Sequence, residues 1–199
     1  NFMLSVPPKF TAYQGFDALF HSTESYINNT NNIMRDMLAL KAIESVGQNL
    51  ATACQDGQNV QAREKVAYGS SMSGMVMSVD NLCSEHSLEH PLSAYHHEIA
   101  HGAGLIMISK AYYTHFVENC PDLHDRFIDM AKAMGKTDAK EPTVAMPDML
   151  YGNFNEEYTS ERTVEETVMP SCSTRGMMSQ PTPSSWQVSF SSWGLPSPL

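Results

Sequence analysis

The stretch Gln14-Gly-Phe-Asp17-Ala-Leu-Phe-His21-Ser-Thr-Glu24-Ser-Tyr26-Ile27 carries an aspartate and a histidine four residues apart. On an α-helix, residues at this spacing lie one above the other on the same face. In isolation, an Asp–His pair at this spacing is more often a local polar contact. Here, however, the neighbouring residues Phe16, Ala18, Leu19 and Phe20 are apolar. The helix is therefore predicted to be buried. Burying the polar Asp17 and His21 side chains is costly, and binding a metal ion would offset that cost.

A second stretch of sixteen residues contains five histidines, which are His86, His90, His96, His97 and His101. Histidine is the commonest metal ligand in proteins, because the neutral imidazole offers a lone pair. Two histidines of this stretch, combined with Asp17 and His21, would give a site of one carboxylate and three imidazoles. Such a donor set suits a divalent metal such as Fe²⁺ or Zn²⁺.

The same stretch also matches two motifs of zinc peptidases, His97-Glu98-x-x-His101 and its inverted form His86-x-x-Glu89-His90. The first motif requires a continuous helix that presents both histidines on one face, and a third ligand further along the chain. Glycines follow His101 directly, and no recognisable third-ligand motif follows. A zinc metallopeptidase is therefore the alternative function, not the preferred one.

The composition excludes several classes of protein. The chain has 199 residues, of which 42% are hydrophobic, enough for one domain with a packed core. Acidic residues outnumber basic ones by 22 to 12 without a basic cluster, which argues against nucleic acid as a partner. No apolar run is long enough to span a membrane. The four cysteines are scattered, which is typical of reduced thiols in a cytoplasmic protein.

Helical periodicity dominates the first two thirds of the chain, and no alternating strand precedes residue 136. The fold class is therefore predicted to be all-α, a helical bundle. Residues 136–199 are first acidic and then rich in serine and proline, and we expect them to form an irregular, disordered tail. The predicted helices cover residues 15–27, 33–50, 60–79, 82–95 with a kink or an interruption at Pro91, 102–117 and 121–134.

Three segments together resemble the iron-containing (group III) alcohol dehydrogenases: Gln14–Ile27, Glu85-His86-Ser-Leu-Glu-His90-Pro-Leu-Ser-Ala-Tyr95 and His101-Gly-Ala-Gly-Leu-Ile106. The resemblance runs from residue 1 to about residue 135. It implies that residues 1–135 correspond to the helical metal-binding domain of that family, truncated here, followed by the divergent tail of residues 136–199.

The resemblance also implies a function and a set of site residues. The function is NAD(P)-linked interconversion of small alcohols with aldehydes or ketones, with a metal polarising the substrate during hydride transfer. His90 matches the family histidine beside the nicotinamide and the substrate, which gives it a catalytic and cofactor-binding role. The metal is Fe²⁺, with Zn²⁺ as the other candidate, and its ligands are Asp17, His21, His86 and His101.

One feature of the family is missing from this sequence. No G-x-G-x-x-G loop follows a predicted strand, so we expect the chain to be a fragment that lacks the nucleotide-binding domain and binds NAD(P) poorly by itself. A metal-binding helical module without catalysis is therefore a further alternative. The sequence is also compatible with a homo-oligomer.

Overall fold

The computed structural model describes residues 2–30, 32–79 and 82–142. These residues contain seven α-helices and no strand, which confirms the predicted all-α fold. The predicted tail lies outside the described residues from residue 143 onward. The helices are α1 (Pro8–Ile27), α2 (Ile33–Gly47), α3 (Leu50–Gln55), α4 (Val60–Val79), α5 (Glu85–Tyr95), α6 (His101–Asn119) and α7 (His124–Ala133), with short 3₁₀ turns at Phe2–Ser5 and Pro121–Leu123.

Helix α1 lies at the centre of the bundle, in contact with α2, α3, α4, α6 and α7. Of its 20 residues, 14 are buried, and they occur on all sides of the helix. A helix that is apolar around its circumference is stable only when other helices surround it. The helix begins earlier than the predicted residue 15, because Pro8 occupies the first turn, where its fixed φ favours a helix start.

The prediction for residues 33–50 is wrong in two respects. The helix α2 ends at Gly47 and a separate short helix, α3, begins at Leu50. The three- and four-residue spacing of apolar residues in this helix also predicts that Ile33 and Met34 lie on its buried face, but they are 77% and 65% exposed. The buried position in this first turn belongs to Arg35, whose guanidinium donates hydrogen bonds to Thr30 and Asp36.

Helix α5 continues through Pro91, so of the predicted kink or interruption the interruption is wrong. Proline cannot donate the hydrogen bond that would reach the carbonyl of Ser87. Both Ser87 and Pro91 are exposed, so water can satisfy that carbonyl and the helix persists. The predicted break at residues 96–100 is confirmed as the connection between α5 and α6.

The start of α6 lies directly against the backbone of α1. A Cβ atom at Gly102 would stand only 2.3 Å from the carbonyl oxygen of Tyr13, so any larger residue would push the two helices apart. Asp17 follows Tyr13 by one helical turn. This close approach therefore places His101, the first residue of α6, beside Asp17.

None of the helices in the described ranges combines the length and the apolar character that crossing a membrane requires. Cys54, Cys83 and Cys120 are free thiols, which agrees with the predicted absence of disulfides among them. The fourth cysteine, Cys172, lies outside the described residues.

Candidate metal centre

Three helices bring an aspartate and two histidines together at one point. Asp17 lies on α1, His86 in the first turn of α5 and His101 at the start of α6. Asp17 Oδ1 is 3.3 Å from Nε2 of His86 and 3.3 Å from Nε2 of His101. One donor atom from each of the three residues lies within 4.8 Å of the others, an arrangement that can hold a metal ion.

His21 lies beside this group, one turn after Asp17 on α1. Its Nδ1 is 3.6 Å from the same Asp17 oxygen, and its ring stacks on that of His86 at 4.1 Å between centroids. The four predicted ligands are thus neighbours, although His21 is not among the three residues whose donor atoms converge.

The other histidines of the cluster are placed differently. The His90 ring is exposed and lies 5.7 Å from that of His101, roughly parallel to it. His97 and Glu98 are exposed in the connection between α5 and α6, so His97 and His101 do not share a helix face. This arrangement lacks the continuous helix that the zinc-peptidase motif requires.

The carboxylate of Glu24, fully buried on α1, orients His86, one of the candidate ligands. Its Oε2 is 2.5 Å from Nδ1 of His86, while Nε2 of the same ring faces Asp17. Glu24 also accepts hydrogen bonds from the backbone N–H groups of Glu85 and His86. It thereby caps the N-terminus of α5, where a negative charge is favourable.

A second buried carboxylate contacts His101, another candidate ligand. Glu89 on α5 is 0% exposed, and its Oε2 accepts a hydrogen bond from Nδ1 of His101. Metal-binding histidines commonly donate their other ring N–H to a carboxylate, which fixes the tautomer and the ring orientation. His86 and His101 both have this arrangement, each with its own carboxylate.

Apart from the place of Glu89 in the inverted peptidase motif, no role at the metal was predicted for Glu24 or Glu89, although their spacing contained a signal. Asp17, His21 and Glu24 follow one another at steps of four and three residues, and this places them on one stripe of α1. Glu89 stands three residues after His86 on α5, again on the same face. A search of both helix faces would have indicated Glu24 and Glu89.

Burial and the neighbouring charges shift the pKa values of several side chains in and around the centre. Burial raises the pKa of Asp17, but the hydrogen bond with His86 and the charges of the nearby imidazoles outweigh it, so the pKa is lowered overall. Burial lowers the pKa of His21. Burial and the neighbouring Glu24 raise the pKa of Glu85 well above its usual value. A neutral Glu85 avoids a second buried charge next to Glu24.

Metal binding is expected to compete with a proton on His86. Burial lowers the pKa of His86, but the hydrogen bonds and charges of Asp17 and Glu24 prevail and raise it to about 9. The metal-free ring is therefore protonated at neutral pH, and a metal that takes Nε2 must displace that proton.

We therefore expect the apparent affinity for Zn²⁺ to rise with pH up to about 9, with proton release on binding. Calorimetric titration in buffers of different ionisation enthalpy measures both quantities. An affinity that is flat over this range, with no proton released, would contradict a protonated His86.

One carboxylate and three imidazoles form the candidate donor set. These donors suit a divalent metal such as Fe²⁺ or Zn²⁺. Two of the imidazoles are already oriented by carboxylates, as outer partners of metal ligands usually are. The side chains of Asp17 and His101 are 32% and 39% exposed, so the centre is open on one side. An open side is typical of catalytic rather than structural metal sites.

Comparison with known proteins gives a consistent result. Residues 11–180 match the family described as "Fe-containing alcohol dehydrogenase family, C-terminal". The match continues beyond residue 135, where the sequence analysis placed the end of the resemblance.

Several curated relatives and solved structures are similar to the chain. A 1,3-propanediol dehydrogenase of Klebsiella pneumoniae is 32% identical over 151 residues, which cover 72% of this chain and 38% of that protein. Alcohol dehydrogenase 4 of Saccharomyces cerevisiae strain YJM789 is 35% identical over 100 residues, 50% of this chain and 26% of that protein. A crystal structure of a 1,3-propanediol oxidoreductase superposes with a TM-score of 0.67 at 31% identity, covering 76% of this chain and 40% of that one.

The chain thus spans between about a quarter and two fifths of the length of these relatives. The part that it matches is the helical, C-terminal part of the family, in agreement with the seven helices of the described residues. The chain belongs to the Fe-containing alcohol dehydrogenase family and corresponds to its C-terminal region.

Proposed function

We propose that this chain is the metal-binding part of an alcohol dehydrogenase that interconverts small alcohols with aldehydes or ketones, with NAD(P) as the hydride carrier. The observation that carries the proposal is the convergence of Asp17, His86 and His101 in a chain of this family. The proposed ligand set is these three residues together with His21. The proposed metal is Fe²⁺ or Zn²⁺.

When bound, the metal supplies Lewis-acid polarisation of the substrate oxygen during hydride transfer to the nicotinamide. Asp17 would hold the metal through a negatively charged oxygen. His21, His86 and His101 would hold it through neutral imidazole nitrogens. The carboxylates of Glu24 and Glu89 lie behind the ligands. They leave the exposed side at Asp17 and His101 free for the substrate.

His90 has a position that suits contact with the substrate or the nicotinamide. Its exposed ring lies next to that of His101, the proposed ligand at the open side of the centre. We propose that a ring nitrogen of His90 exchanges a proton with the substrate hydroxyl or orients the nicotinamide. Unchanged turnover after the substitution equivalent to His90→Ala in a full-length member of the family, compared under identical metal loading, would contradict this role.

Two histidine substitutions test the proposed ligand set against the peptidase alternative. We expect His21→Ala to weaken Zn²⁺ binding, because its imidazole lies next to Asp17 and His86, and His97→Ala to leave it unchanged. Metal content after dialysis and equilibrium titration measure both effects, with circular dichroism as the control for folding. The reverse pattern, together with peptide hydrolysis that depends on His97, would replace the dehydrogenase proposal with the peptidase.

Because the chain alone is expected to bind NAD(P) poorly, activity is tested in a metal-loaded, full-length member of the family whose C-terminal region is replaced by this chain. NAD or NADP and a short primary alcohol are added, and the absorbance of the reduced nicotinamide is followed. Turnover that disappears on chelation and returns with Fe²⁺ or Zn²⁺ would support the proposal. Turnover that is insensitive to chelation would contradict it.

A further inference from the structure

Glu89 is a fully buried carboxylate whose two oxygens both have hydrogen-bond donors. Oε2 accepts from Nδ1 of His101, and Oε1 accepts from the hydroxyl of Ser93, one turn further along α5. Burying a carboxylate is costly unless it is hydrogen-bonded and its charge is offset. His101 is the polar group through which Glu89 is linked to Asp17 and the metal centre.

The space that the Glu89 side chain occupies depends on a glycine in the facing helix. A Cβ atom at Gly104 would lie 2.5 Å from Oε1 of Glu89 and 2.9 Å from its Cγ. Gly104 is on α6, one turn after His101, so the absence of a side chain there lets Glu89 reach between α5 and α6. Ser93 and Gly104 thus fix the carboxylate from two sides.

We propose that Glu89 is the positioning residue of His101: it holds the proton of the ring on Nδ1, so that Nε2 presents its lone pair to the metal beside Asp17. This inference rests on the proposed metal site and adds a residue to it that touches neither substrate nor metal. Neutral histidine in water favours the opposite tautomer, with its proton on Nε2. Without Glu89 the atom that faces Asp17 would carry a proton and no lone pair.

A direct metal contact is the competing role for Glu89. Donor atoms of Glu89, His90 and His101 also lie within 4.8 Å of one another. The positioning role uses both Glu89 oxygens as they stand, since Oε2 accepts from Nδ1 of His101 and Oε1 accepts from Ser93. A metal bound by Glu89 would have to displace one of these two hydrogen bonds or share an oxygen with it.

The first test is long-range proton–nitrogen NMR of the histidine rings, with the resonances of His101 assigned by substitution. In the metal-free protein, at a pH at which the ring is neutral, we expect the proton on Nδ1. In Glu89→Ala it should move largely to Nε2. Glu89→Gln should retain the native tautomer, because its amide oxygen can still accept from Nδ1. The matched control is Glu98→Gln, an exposed glutamate in the connection before His101.

The second test is Zn²⁺ affinity of the same variants. Loss of an outer partner of a metal ligand typically weakens binding about 10–100-fold, and we expect Glu89→Ala to fall in that range. Glu89→Gln should lie between Glu89→Ala and the parent protein, and Glu98→Gln and His90→Ala should match the parent. In zinc-loaded protein, the nitrogen shifts should show His101 bound through Nε2.

The outcomes separate the two proposals. If the parent protein binds no metal, the proposed function fails, while the tautomer measurement still judges the bond between Glu89 and His101. A His101 tautomer and a Zn²⁺ affinity that are unchanged in Glu89→Ala would overturn the positioning role, even if the variant unfolds more easily. A loss of affinity in His90→Ala equal to that in Glu89→Ala would overturn it in favour of direct metal contact.

Discussion

Replacing Asp17 with alanine is expected to cost more metal affinity than any other single substitution in the centre. Its Oδ1 lies 3.3 Å from Nε2 of His86, 3.3 Å from Nε2 of His101 and 3.6 Å from Nδ1 of His21. It is the one carboxylate among the three converging donors. The loss should therefore exceed the roughly 10–100-fold that removal of an outer partner costs. Competition titration with a Zn²⁺ chelator measures it.

Two variants complete that experiment. Asp17→Asn keeps the shape of the side chain and removes its charge, so its affinity should lie between those of Asp17→Ala and the parent protein. Asp122→Ala changes an exposed aspartate in the 3₁₀ turn before α7 and should leave the affinity unchanged. An Asp17→Ala protein that binds Zn²⁺ within about 10-fold of the parent would place the metal elsewhere.

The second large effect is on stability. Phe20 on α1 is 0% exposed and packs between two rings, with centroid distances of 5.7 Å to Phe16 and 6.0 Å to Tyr113. Truncating a buried phenylalanine to alanine removes its apolar surface and leaves a cavity. We expect Phe20→Ala to lower the free energy of unfolding by about 3–5 kcal/mol. That is a large part of the roughly 5–15 kcal/mol that stabilises a typical domain.

Denaturant unfolding of the metal-free protein, followed by circular dichroism, measures this change. Phe10→Ala is the matched control on the same helix, since Phe10 is 52% exposed. Its effect should stay within about 0.5 kcal/mol, as is usual for surface positions. Equal losses in the two variants would mean that the packing around α1 is not the main source of stability.

The position of Asp17 and His21 in an apolar helix was predictable from Phe16, Ala18, Leu19 and Phe20, which are buried as expected. The expected burial of the pair itself is only partial, since both side chains are partly exposed. The same argument failed for Ile33 and Met34, since periodicity does not reveal that Arg35 takes the buried position in their turn. Apolar spacing locates a helix face, but the partner helices decide which face is covered.

The candidate site was predicted in part. The resemblance supplied Asp17, His21, His86 and His101 as ligands, and the structure places them as neighbours. The roles of Glu24 and Glu89 depend on contacts between helices that are distant in sequence. No local pattern shows that Glu24 reaches the start of α5 or that Glu89 reaches His101.

The spacing of the ligands along the chain has a kinetic consequence. The contact between Asp17 and His86 joins residues 69 positions apart, and that between Glu24 and the backbone of His86 joins residues 62 apart. Contacts of such long range form slowly, because the intervening chain must first be ordered. The centre therefore assembles only after α1, α5 and α6 have packed. We therefore expect metal uptake, if the centre binds a metal as proposed, to follow the packing of these helices rather than to nucleate folding.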